Sequence, residues 1–121
     1  MNFIKTNINQ KDKKQVYRMT KGDSEKVQNL EKGTSLKVDL FAVYTEDKTR
    51  NKQDGTTETY TDTVLTFTSG NLKVGTISQT FIKSFLEIVD IMGDEAFSII
   101  ITGGKTKSGR EYVNCELDCN A

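Results

Sequence analysis

SQTFIKSFLEIVDIMG, residues 78–93, is the stretch whose reading decides the fold. Spaced at 100° per residue, Phe81, Ile82, Phe85, Leu86, Ile88, Val89 and Met92 fall within one arc of about 160°. Lys83, Ser84, Glu87 and Asp90 take the opposite side, and only Ile91 breaks the pattern. Ser78 or Thr80 is a suitable N-cap, and Gly93 stands where a helix normally stops. The spacing predicts one amphipathic helix from about Thr80 to Met92, with a single wide face to bury.

Around that helix the pattern is β. In SLKVDLFAVYTE (35–46) Leu36, Val38, Leu40 and Ala42 alternate with Lys37 and Asp39, the two-residue period of a half-buried strand. The run is long for one strand, so a bend or bulge is expected midway. DKTRNKQDGTT (47–57) holds no apolar residue and reads as an exposed loop. ETYTDTVLTFTS (58–69) alternates again, with Leu65 and Phe67 on one face and Tyr60, Asp62 and Val64 on the other. A Gly-Asn turn (70–71) leads into LKVGTIS, a short strand. Beyond the helix, AFSIIIT (96–102) and EYVNCELD (111–118) form a hairpin joined by GGKTKSGR.

Nearer the N-terminus, QVYRMT (15–20) reads as an outer strand, and GDSEKVQNLEKGT as a connection that turns at Lys32-Gly33. Residues 1–14 are polar and carry Lys5, Lys11, Lys13 and Lys14; a polar arm and an added edge strand both fit them. Five strands with one helix between the third and fourth is the order of the OB-fold, an all-β Greek-key barrel with a single helix plugging one end. The expected organisation is therefore a polar arm, 1–14, and an OB-fold domain, 15–121.

Composition narrows the chemistry. In 121 residues there is no histidine, tryptophan or proline, and there are two cysteines. That excludes Ser-His-Asp and Cys-His catalysis and Cys2His2 zinc sites. Cys115 and Cys119, roughly 13 Å apart on an extended strand, are too far apart for a disulfide. No apolar run approaches the roughly 20 residues of a membrane helix, and no signal peptide is read at the N-terminus. The expected compartment is the cytoplasm. The 17 basic and 17 acidic residues cancel, which argues against a partner held by charge alone, such as bulk duplex DNA. The balance is uneven along the chain, +5 over residues 1–52 and −5 over residues 53–121.

In an OB-fold the ligand lies across strands two and three, between the first-to-second and fourth-to-fifth loops. Here those loops carry Lys48, Arg50 and Lys52, and Lys105, Lys107 and Arg110. Single strands are held by base stacking on exposed rings above a cationic groove, which lets a neutral protein bind them. Tyr44 at the mouth of the first loop, Tyr60 opening the second strand and Tyr112 opening the fifth are the stacking candidates, with Phe41 a weaker fourth. Phe67, Phe81, Phe85 and Phe97 are assigned to the core. Gly104-Lys105-Thr106 is no phosphate loop: Ile99 stands where the first glycine is needed, and a strand follows instead of a helix. Carboxylate pairs such as Glu46-Asp47 and Asp94-Glu95 are charged-loop features, so no metal and no cofactor is expected.

Three blocks, VQNLEKGTSLKVDLFAVY, GTISQTFIKSFLEIVDIMG and GGKTKSGREYVNCEL, resemble in order and character the single-stranded DNA-binding proteins of phi29-like phages. The resemblance spans most of residues 27–117. It implies a non-enzymatic protein that coats displaced strands during phage DNA replication in the host cytoplasm, alongside phage replication proteins. By position it implies DNA contacts from Tyr44 and the basic residues of Thr106–Arg110. The other functional class the residues allow is a small interaction protein that inhibits or recruits a host protein through a sheet edge or acidic surface.

Overall fold

The computed structural model describes all 121 residues. Its elements are β1 (Asn2–Thr6), α1 (Lys13–Thr20), β2 (Glu25–Lys26), a 3-10 turn (Val27–Asn29), β3 (Ser35–Val38), β4 (Phe41–Asn51), β5 (Thr57–Ser69), β6 (Leu72–Thr76), α2 (Gln79–Met92), β7 (Phe97–Lys105) and β8 (Glu111–Leu117). The chain is mostly β, with two helices and eight strands in two sheets, ordered β1-β4-β5-β6-β2 and β3-β7-β8. No helix is long and apolar enough to cross a membrane.

Helix α2 forms where its apolar period requires it. Ser78 Oγ accepts from the Phe81 N–H at its start, and Gly93 ends it in the positive-φ conformation, at 59°, that a side chain resists. Its inward residues Phe81, Ile82, Phe85, Ile88 and Val89 are buried, while Ile91 is 78% exposed. Phe85 is the centre of the core. Its ring meets Phe41 at 5.5 Å, Phe67 at 5.7 Å and Phe97 at 6.0 Å, so one side chain joins the helix to both sheets. Phe41 is thus a core ring, 5% exposed, and offers no stacking surface.

The expected bend in the first long strand is real. It falls at Asp39-Leu40, where β3 leaves the three-stranded sheet and β4 enters the five-stranded one. There the Asp39 N–H donates to the Thr68 carbonyl at 2.9 Å and the Thr68 N–H to the Leu40 carbonyl at 2.8 Å.

The closed barrel is not seen. Closure would require β6 to pair with β8, but the free edge of β6 is taken by β2, in parallel, with Glu25 opposite Val74 and Lys26 opposite Gly75. Gly75 allows that approach: a Cβ there would lie 2.6 Å from Ser24 Oγ. The 3-10 turn then sits between β6 and β8 and buries Val27 in the core.

Two further expectations are corrected. Residues 15–20 form most of helix α1, not a strand. Asp12 Oδ1 accepts from the N–H groups of Lys14 and Gln15, and Val16 and Met19, three apart, meet Ala42 and Tyr44 on the sheet. A helix cap and a three-residue apolar spacing outweigh the β-branched and aromatic character of Val16 and Tyr17. Second, most of 47–57 is strand: β4 runs through Asn51 and β5 begins at Thr57, so only residues 52–56 form the tip. Residues 2–6 lie along β4 as an edge strand, Phe3 opposite Tyr44.

Candidate nucleic-acid interface

Strands β4 and β5 pair without interruption from Phe41↔Phe67 to Asn51↔Thr57. Alternation sends Phe41, Val43, Leu65 and Phe67 into the core and the even-numbered residues to the other face. Along that face, outward from the core, Tyr44 lies opposite Val64, Glu46 opposite Asp62, Lys48 opposite Tyr60 and Arg50 opposite Glu58. At about 3.3 Å per residue, the run from Tyr44 to the tip is roughly 20 Å long.

The charges on this face are paired. Lys48 Nζ is 3.2 Å from Asp62 Oδ2, and Arg50 Nη2 is 2.9 Å from Glu58 Oε2. Asp62 holds the Lys48 ammonium above the ordinary lysine value, chiefly through their hydrogen bond. Arg50 also lies over the Tyr60 ring, 5.3 Å from its centre. Tyr60, half-buried, thus has Lys48 directly opposite it and Arg50 over its ring. Lys52 stands exposed at the tip. The loop cations of the sequence reading are, for Lys48 and Arg50, strand cations with carboxylate partners.

Tyr44 occupies different ground. It is 4% exposed, packed with Ile8, Met19 and Ala42 under α1, edge-on to Phe3 at 6.1 Å. Burial raises its hydroxyl's pKa above the ordinary tyrosine value. Its ring forms part of the wall of a cavity of about 590 Å³ between the C-terminal end of α1, β2 and the sheet face. Lys26, Lys73 and Gln28 line the same cavity.

Gln28 also lines a second cavity, of about 510 Å³, whose far side is Tyr112 with Lys32 and Glu111. Tyr112 is 44% exposed and lies across from Gly104. A Cβ on Gly104 would stand 3.1 Å from the Tyr112 hydroxyl oxygen and 3.3 Å from its ring, so the glycine leaves space for the aromatic to lie flat. That accounts for the glycine that resembled part of a phosphate loop. Lys105 opposes Glu111, and Lys107 and Arg110 stand exposed in the turn, where the Arg110 carbonyl accepts from the Thr106 N–H. None of these three cations has a carboxylate partner. The hairpin tip and this turn share no hydrogen bond or ion pair.

Lys26, Lys32 and Lys73 were not singled out by the sequence. Each comes from a different segment and reaches the interface only through the fold. Lys73 was legible in one respect, as the polar residue alternating with Leu72 and Val74.

An open sheet face with a half-buried tyrosine beside cations, and an exposed tyrosine beside unpaired cations, is a surface on which the bases of a single strand can stack. The family model described as phage single-stranded DNA-binding protein, of the phi29 type, matches residues 2–118. The chain belongs to that family. No curated protein and no solved structure matches it.

Proposed function

We propose that this protein coats the single strands displaced during phage DNA replication, in the host cytoplasm, without enzymatic activity. The observation that carries the reading is the even-numbered face of the β4–β5 hairpin, where Lys48, Tyr60 and Arg50 stand together clear of the core. Bases stack on Tyr60 and Tyr112, and phosphates meet Lys48, Arg50 and Lys52 on one side and Lys105, Lys107 and Arg110 on the other. Tyr44 supports the floor between them. The element order supports an OB-like reading: α2 holds the OB position, β3–β4 crosses between the two sheets as a first OB strand does, and the sheets stay open between β6 and β8. Phage replication proteins are the expected neighbours on the coated strand.

The test is a fluorescence titration. With no tryptophan in the chain, tyrosine emission reports on the rings directly. Oligo(dT) should quench it, and a duplex of equal length should compete poorly, because paired bases cannot reach a ring on a sheet face. Equal competition by duplex, or no quenching and no mobility shift at low salt, refutes the reading.

A further inference from the structure

The two most exposed large apolar side chains of the chain both lie on helices: Tyr17 on α1, 67% exposed, and Ile91 on α2, 78% exposed. Each stands among charges of one sign. Tyr17 has Lys13 and Lys14 one turn before it and Lys21 one turn after it, all exposed. Ile91 has Glu87 one turn before it, Asp90 beside it and Asp94 just past the Gly93 stop, all exposed. Of these six charges only Lys21 is in an ion pair, with Glu46 at 3.8 Å. Neither stripe serves its own helix. The N-terminal end of a helix favours anions and the C-terminal end cations. Yet the first turn of α1 holds Lys13 and Lys14 and no acid, and the last turn of α2 holds Asp90 and no base.

We propose that the two stripes are the halves of a head-to-tail interface between copies of this chain: the α1 stripe of one copy, centred on Tyr17, docks on the α2 stripe of the next, centred on Ile91. The inference rests on the single-strand reading above, because copies seated side by side on one strand are held at the high local concentration that a small contact needs.

Three arguments support it. The surfaces complement each other: each has one exposed apolar anchor, and the surrounding charges are opposite in sign. A single chain cannot join them. Helix α1 packs through Met19 on Ala42 and Tyr44, whereas α2 packs through Phe85 on Phe41 and Phe67, so the helices lie on opposite faces of the five-stranded sheet. Two different patches on opposite faces make a heterologous contact, which extends along a line where its rotation does not close a ring, as coating a strand requires. The contact also uses the charge division along the chain, +5 over residues 1–52 and −5 over residues 53–121, which strand binding leaves without a purpose.

The experiment compares binding to (dT)60, which seats several copies, with binding to (dT)12 in excess, which seats them singly. The proteins are the wild type, Lys13→Glu/Lys14→Glu, Asp90→Lys/Asp94→Lys, and the chain with all four changes. Each reversal gives its helix end the charge that end favours, and circular dichroism melting confirms the fold. Tyr17→Ser/Ile91→Ser, which alters only exposed side chains, decides in place of any variant that fails to fold. The wild type should bind (dT)60 more tightly per copy than (dT)12, by a factor on the order of 5–150, the usual range for coupling between two sites. Each double variant should lose that surplus. The four-change chain should regain it, because both stripes change sign together. An unchanged surplus in the double variants, or no recovery in the four-change chain, overturns the interface. So does a loss in Lys13→Glu/Lys14→Glu that appears in full on (dT)12 with a flatter salt slope, which would make the α1 stripe a DNA contact. A wild type without any surplus overturns the interface and leaves single-strand binding in place. Failure of the wild type to bind (dT)12 at all overturns both.

Discussion

The Arg50 guanidinium stands 5.3 Å from the centre of the Tyr60 ring, one diagonal step across the β4–β5 hairpin, while Glu58 grips the same guanidinium at 2.9 Å. One residue pair thus supplies both an aromatic surface and a positive charge, and a neighbouring carboxylate holds the cation in place until something displaces it. Lys48, directly opposite Tyr60, is likewise paired, with Asp62 at 3.2 Å. The two cations of the hairpin face are thus paired and partly neutralised.

That masking can be removed. Glu58→Gln with Asp62→Asn should tighten (dT)12 binding at low salt and steepen the log K against log salt slope by up to about 1.4, as two freed cations meet phosphates. The loss of stability should be small, since exposed ion pairs contribute about 0–1 kcal/mol each. An unchanged slope would mean that Lys48 and Arg50, once freed, take up no further phosphate contacts.

Stacking and charge should separate cleanly. Tyr60→Ala and Tyr112→Ala should each weaken binding by about 1–3 kcal/mol with the salt slope nearly unchanged, since a neutral ring displaces no counterions. Lys105→Ala/Lys107→Ala/Arg110→Ala should weaken binding at low salt and flatten the slope by up to about 2. Tyr44→Ala is a different case. Its ring is buried, so the expected first effect is a stability loss of about 3–5 kcal/mol, seen by thermal melting. A normal melt with weakened binding would place Tyr44 on the open surface.

Phe85→Ala should cost about 3–5 kcal/mol, because the lost ring leaves a cavity where helix and both sheets meet. Circular dichroism melting checks it, and a shift of only a degree or two would contradict the core described here.

These contrasts follow the line between what the sequence revealed and what it concealed. Helix α2, its Ser78 cap and its Gly93 stop were legible because a wide apolar arc at 3.6-residue period has no competing reading. The bend at Asp39-Leu40 was legible from strand length alone. Helix α1 was not: eight residues with one buried and one half-buried apolar position give a weak period, and the Asp12 cap that fixes it lies outside the stretch read as a strand. The barrel stays open because β2, two residues long, takes the edge of β6, and no pattern of that length can be seen in a sequence. Lys48 and Arg50 looked like loop residues because polar and charged side chains fill both faces of a hairpin that leaves the core. Which of its cations are free depends on the register that sets Asp62 and Glu58 beside them.

The cysteines offer a check on burial and a pH dependence. Burial pushes the Cys115 thiol up to about 12, whereas Cys119 is exposed. A thiol reagent should modify one cysteine quickly in the native protein and two in denaturant. Because the folded state retains the Cys115 proton, stability should fall as pH rises above about 8.5, the unfolded value. Cys115→Ala should lessen that fall in denaturant melts between pH 8.5 and 11. An identical pH dependence in the two proteins would show that the thiol ionises as freely folded as unfolded.

The central claim is that single strands lie along the even-numbered face of the β4–β5 hairpin and across to the β7–β8 turn. Amide chemical-shift mapping with (dT)12 tests it most directly. The account predicts the largest shifts at Lys48, Arg50, Glu58, Tyr60 and Asp62, and at Lys105 to Tyr112, with little change at Asp90, Gly93 and Asp94 beyond the far end of α2. Shifts concentrated at that far end, with the hairpin face silent, would contradict it.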